Sequence, residues 1–204
     1  MLTALSPLAY KHVQTNAGVF VLGIDPGTFE DLATFKTALN EALQDRESCL
    51  GATRGGGGFS LTRDSRVIEA DGRRFGFVGD RVVDNMDPMI NTTLIEIIPE
   101  NLKRGIGAAD IESKAWYKKI QPRTNFTDED YIPVLTWVGD TNQGFLAITL
   151  YNALNTADLN YTFTDKGEGT LPVEFHAHQS NLEDYDTPPF AIYSIDDAAS
   201  VSNA

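Results

Sequence analysis

Apolar residues recur along the chain in two rhythms. Residues 17–24 (AGVFVLGI) make a short apolar run bounded by Asn16 and by Asp25, Pro26 and Gly27, which predicts a strand ending in a turn. Directly after it, Leu32, Phe35, Leu39 and Leu43 fall three or four apart, the spacing of one helix face. Glu30, Lys36, Asn40 and Gln44 occupy the opposite face, so one side is expected to dock and the other to meet water. Thr28 with Asp31 three residues on reads as a capping box, and the helix is predicted over about residues 29–45.

Residues 54–74 have a different character. Gly55, Gly56, Gly57 and Gly58 precede charged, alternating sequence that runs to Ala70, Asp71 and Gly72. Four glycines in a row have high chain entropy and no side chains to pack, so a mobile loop (about 51–74) or a hairpin is expected, ordering against a partner. Strands are predicted over 75–83 and 92–98, then a short helix over 99–105 with Pro99 near its start and Gly105 after its end. No clear period marks 108–120. Beyond residue 124 the pattern turns β: apolar segments 131–138 and 144–151 flank a 139–143 loop. Leu159, Tyr161 and Phe163 alternate with Asn160, Thr162 and Thr164, and 171–178 alternates again, predicting a second hairpin with one oily face. A last short strand is predicted over 190–195. One domain over 1–195 and a disordered acidic tail over 196–204 complete the expectation.

Composition narrows the function classes. With 42% hydrophobic residues in 204, the chain can bury a core and is not disordered throughout. A formal charge of −13 disfavours tight binding to DNA or an anionic membrane. The excess is uneven: up to Arg123 sixteen acids meet fifteen bases, whereas from Thr124 thirteen acids meet one base, Lys166. Arg54, Arg63, Arg66, Arg73, Arg74 and Arg81 make the Gly-rich stretch locally basic, and such a chain can attract copies of itself. A lone cysteine, Cys49, closes no intrachain disulfide, and no apolar run is long enough for a membrane-spanning helix, so a soluble chain made in a cytoplasm is expected.

Candidate chemistry is sparse. The glycine run lacks the Lys-Ser/Thr of a nucleotide-binding loop, having Phe59 and Ser60 instead. Glu174, His176 and His178 alternate along a predicted strand, suitable for metal ligation, but Val173, Phe175 and Ala177 on the opposite face explain the alternation without a metal. Asp128 with Asp130, and Asp196 with Asp197, are carboxylate pairs in predicted loops or tail. Cys49 has no activating base nearby. No catalytic, cofactor or metal site is expected, and no enzyme activity.

Several stretches together resemble the tail tube (major tail) protein of long-tailed bacteriophages with non-contractile tails. They are residues 17–22 (AGVFVL), 51–57 (GATRGGG), 71–75 (DGRRF) leading to 82–84 (VVD), 93–102 (TLIEIIPENL) and 167–178 (GEGTLPVEFHAH). Their order and spacing, over most of 17–193, carry the resemblance. It implies a mainly β fold, a β-sandwich or partial barrel with one flanking amphipathic helix, whose strands join a ring-shaped inner β-barrel on oligomerisation. It also implies a structural protein of the virion tail whose partners are itself, as stacked hexameric rings, the tape-measure protein, and tail terminator and distal tail proteins. DNA would pass through an acidic bore without tight binding, and no cofactor is implied. On that reading Glu96, Thr162, Thr164, Glu174 and His176 are candidate lumen or subunit-contact positions. Arg54, Gly55, Gly56, Gly57, Gly58, Arg63 and Arg66 form a candidate loop reaching the next ring. Two competing readings are a β-sandwich carbohydrate-binding module, for which Trp116, Tyr117 and Trp137 are the available aromatics, and another tail component such as a terminator or a contractile-system inner tube.

Overall fold

The computed structural model describes residues 13–69, 71–72, 74–180 and 187–197. Among them the chain is mainly β, with antiparallel sheets and two α-helices. Strand β1 (Val19–Leu22) pairs with β6 (Ile132–Thr141), β6 with β7 (Gly144–Asn155), and β7 with β9 (Phe190–Asp196). The last residues of β7, Leu154 and Asn155, continue past β9 to pair with β8 (Leu171–His176). β8 pairs with β3 (Arg81–Leu94), and β3 with β2 (Thr53–Val67).

Period-two alternation places the core. From β1, Phe20 points toward Leu135, Ile148 and Leu150 and meets Ile90, Leu94, Val173 and Phe175 of the β2–β3–β8 half. Its neighbour Val21 points the other way, with Val138 and Ala147, onto Phe35, Leu39 and Ala42 of helix α1 (Leu32–Gln44). Burying both faces of the β1–β6–β7–β9 half explains why its strands read as continuous apolar runs.

α1 begins three residues later than expected. Asp31 is the N-cap and its carboxylate accepts from Thr34 N at 2.8 Å, whereas Thr28 closes a short 3-10 turn, Pro26–Thr28. Leu43 is exposed and Ala42 takes the buried position, because the docked stripe follows Phe35, Leu39 and Ala42. The short helix forms as α2 (Pro99–Ile106), and 108–120 largely falls into a small hairpin, β4 (Ala109–Ser113) with β5 (Lys118–Pro122). No described helix is long and apolar enough to cross a membrane.

Several expectations change in the structure. In place of the two strands expected at 75–83 and 92–98 there is one, β3, which takes in only 81–83 and 92–94 of them and has Pro88 inside it. Proline fits there because pairing to β8 ends at Met89: the Pro88 carbonyl still accepts from Ala177 N at 3.1 Å, and no ladder bond needs the missing N–H. Of the mobile loop or hairpin expected over the Gly-rich stretch, the hairpin forms, with β2 as one of its strands. Gly55 and Gly56, at φ +78° and +76°, absorb a register shift between Thr53 and Gly57 that a side chain would strain. The alternating residues 159–164 do not pair with β8. Only Thr162 bridges to Thr170, and Phe163 is 84% exposed, because β8 buries Leu171, Val173 and Phe175 against β3 and β7 instead. The expected 139–143 loop shortens to a two-residue turn, Asn142 and Gln143. Asp196 ends β9, Asp197 ion-pairs with Lys36 at 2.8 Å, and the rest of the expected tail lies outside the described residues.

Candidate assembly surface

The register of β2, β3 and β8 sorts their side chains into two faces. Ile90, Thr92, Leu94, Leu171, Val173 and Phe175 point inward and are buried. The alternate positions point out: Pro172, Glu174 and His176 on β8, Asp87, Met89, Asn91 and Thr93 on β3, and Gly58, Ser60, Thr62 and Asp64 on β2. Asn91 sits opposite Glu174 on one side and Gly58 on the other, while Met89 sits between His176 and Ser60. No Lys or Arg stands at any of these positions, which carry the carboxylates of Asp64, Asp87 and Glu174. Asp87 Oδ1 lies 2.6 Å from His176 Nδ1, so the one basic side chain at these positions is held by an acid; Arg66, the next outward position of β2, pairs with Asp84 at 2.9 Å.

Buried amides fix this sheet to the helix behind it. Asn155 accepts from Glu174 N at 2.8 Å and donates to Gly105 O at 2.7 Å, tying β7, β8 and α2 together. Asn101, wholly buried, donates to Leu50 O and Glu96 O at 2.9 and 3.0 Å. These bonds satisfy backbone carbonyls that packing withdraws from solvent and fix the sheet to the segments behind it.

The structure therefore brings together Glu174 and His176 as expected, but not the other candidates. His178 lies beyond β8, its Nδ1 3.2 Å from Asn152 O and its ring against Tyr131, and no metal-competent cluster occurs among the described residues. Glu96 follows the end of β3, accepting from Ala52 N and pairing with Arg46 at 2.9 Å. Thr162 and Thr164 belong to the irregular segment between β7 and β8. Asp64, Asp87 and Asn91 went unnoticed in the sequence. For Asp87 and Asn91 the signal was the alternation from Asp87 to Thr93, which Pro88 interrupts.

The Gly/Arg stretch is the β2 side of a long β2–β3 arm. Arg54 pairs with Glu168 at 2.7 Å and Arg66 with Asp84 at 2.9 Å. Both pairs are exposed, worth about 0–1 kcal/mol each, so an incoming carboxylate can displace them at little cost. Arg63 is exposed and forms no ion pair among the described residues. At the arm's end Phe75, Phe77 and Val78 are exposed. The C-terminal acidic excess is not one patch: Asp130 is buried against Arg123, Asp197 holds Lys36, and Glu168 holds Arg54.

Of the aromatics, Trp116 is 86% exposed and packs edge-on to Tyr117 at 4.6 Å on the β4–β5 hairpin. Trp137 is half-buried and donates to Ala17 O at 2.9 Å. No protein-family model matches the chain, and no curated protein matches it.

Proposed function

We propose that this chain is the tail tube (major tail) protein of a long-tailed, non-contractile bacteriophage, closing into six-membered rings that stack as a hollow tube. The observation that carries the reading is the outer face of β2, β3 and β8, where Asp64, Asp87 and Glu174 stand on an antiparallel sheet with no Lys or Arg at the outward positions 58–64 of β2, 87–93 of β3 and 172–176 of β8. A bore lined by such a face repels phosphate. Each cation on it would instead neutralise a phosphate and add a salt-dependent attraction, with a slope of about 0.9 per contact on duplex DNA. Transit needs that term to be absent.

The sheet's two ends supply a reason to assemble. Among the described strands of the larger sheet β2 and β9 pair on one side only, whereas the outer edge of β1 is bonded to residues 48–50; open edges are a liability that ring closure into a continuous inner barrel would remove. On this reading each subunit is a β-sandwich flanked by α1, the tape-measure protein fills the bore before the genome does, and terminator and distal tail proteins bind the tube's ends. The protein acts by shape and charge in the virion tail, without catalysis or cofactor.

Negative-stain microscopy of concentrated protein tests this directly: stacked rings or hollow filaments are expected, and compact monomers at every concentration would refute it. Assembled tubes of Glu174→Lys with Asp87→Asn should retain linear DNA at low salt where the parent does not. A second reading, a carbohydrate-binding module, is favoured by the Trp116–Tyr117 pair. Monodisperse monomers that bind glycans, and lose binding on Trp116→Ala, would select it.

A further inference from the structure

The β4–β5 hairpin carries positive charge in an acidic chain. From Pro99 to Arg123 six bases meet three acids, a net of +3 within a total of −13. Lys114 N donates to Tyr117 O at 2.8 Å and closes the turn, which holds Trp116 out at 86% exposure. Tyr117 packs edge-on against the indole, 4.6 Å between centroids, and braces it. A large ring held this far into water contributes little to packing the subunit, whereas braced aromatics are what binding surfaces use as anchors.

The register divides the hairpin into two faces. Ser113 and Lys118 share one with the half-buried Ile111 and Ile120, and Lys118 Nζ donates to Glu100 of α2 at 2.7 Å. On the other face Lys119 stands across from Glu112, and Lys114 reaches the same Glu112 carboxylate at 2.8 Å. Lys119 Nζ donates to Gln121 Oε1 at 2.8 Å instead of to an acid, and Asp110 on this face is taken by Arg123 at 3.0 Å. The Lys114–Glu112 pair is exposed and worth little, so an incoming carboxylate can draw Lys114 away at small cost.

This surface is separate from the acidic face. A Cβ on Gly105 of α2 would lie 3.1 Å from the inward-pointing Leu171, so α2 sits on the core side of β8. The hairpin that α2 carries is thus on the side away from Asp87 and Glu174.

One indole beside two exposed ammoniums selects among anionic ligands. Single-stranded nucleic acid is held on a succession of aromatic platforms, and here there is one open ring. Duplex DNA offers no free ring face, and an anionic bilayer would draw a chain of −13 toward a surface that repels it. A sugar ring needs only one platform: its C–H face lies on the apolar body of an indole, and a carboxylate on that sugar accepts charge-assisted hydrogen bonds from lysine.

We infer that the Trp116 hairpin binds an acidic glycan, the ring of a uronic sugar on the indole and its carboxylate on Lys114 or Lys119. This rests on the carbohydrate-binding reading of the Trp116–Tyr117 pair and names the class of sugar; it holds for a lone module and for a subunit of a tube alike.

Isothermal titration calorimetry on the full chain tests it, with oligogalacturonate set against its methyl ester, the same sugar chain without the charge. The parent should bind the acid about tenfold more tightly than the ester, with a preference that shrinks as salt rises. Trp116→Ala should lose both ligands. Lys114→Gln with Lys119→Gln should lower the affinity for the acid to that for the ester, and Lys114→Arg with Lys119→Arg should keep the preference. All three positions are exposed, and circular dichroism checks that each variant is folded. Equal binding of acid and ester, lost on Trp116→Ala, overturns this inference and leaves the carbohydrate-binding reading standing. Oligodeoxythymidylate bound more tightly than oligogalacturonate assigns the tip to single-stranded nucleic acid and overturns it as well. A parent that binds neither sugar overturns both the inference and the carbohydrate-binding reading, without touching ring assembly.

Discussion

Replacing Gly18 with alanine sets two costs against each other at the entrance to β1. Gly18 has φ +73°, and a Cβ there would lie 2.6 Å from Trp137 Cε2 and 2.7 Å from Val138 O. Gly23, at the other end of β1, has nearly the same φ, +74°, but nothing within 4 Å of the Cβ position. The backbone cost of alanine at positive φ is therefore shared, about 1–2 kcal/mol, less the roughly 0.4–1 kcal/mol that the unfolded chain loses in freedom. Only Gly18→Ala adds overpacking against a rigid indole, about 1–3 kcal/mol. For a chain of this size that difference lowers the melting temperature by about 2–12 °C relative to Gly23→Ala. Thermal unfolding by circular dichroism measures it. Trp137 emission, isolated in a Trp116→Phe background, should also shift as the ring leaves its hydrogen bond to Ala17. Equal melting temperatures with unchanged emission would refute the packing argument.

Other outcomes follow from buried polar groups. Asn101→Leu strands the carbonyls of Leu50 and Glu96 and should cost about 2–6 kcal/mol in urea unfolding. Burial, with Tyr193 and Asp25 beside it, pushes the Tyr151 phenol well above its ordinary range. The unfolded chain then ionises first, near pH 10, so stability is fully present below that pH and falls as it rises. Tyr151→Phe should flatten the loss seen in stability measured between about pH 10 and 12. In the opposite direction, the Lys118 ammonium holds the Glu100 carboxyl below the usual glutamate range, so its contribution is present above that range and lost as pH falls. Glu100→Gln should weaken the acid dependence of unfolding.

Much of the fold was legible because it is local. The 3.6-residue spacing of Phe35 and Leu39, the Pro99 start of α2, and the alternation of Val173, Phe175 and Ala177 are each properties of neighbouring residues, set by backbone geometry and the drive to bury apolar surface. Charge totals and the absence of a long apolar run are likewise fixed by composition. Partner choice was not legible. Leu159, Tyr161 and Phe163 alternate as well as β8 does, but only β8 finds β3 and β7, more than sixty residues away for β3, and buries its face there. Pro88 broke the pattern of β3 on paper, and only the point where β8 stops made it harmless. The acidic excess after Thr124 is contiguous in the sequence, yet burial of Asp130 and ion pairing of Asp197 and Glu168 disperse part of it in the fold. A sequence lists charges in chain order; the pleat and the register decide which of them, here Asp64, Asp87 and Glu174, look out of the same wall.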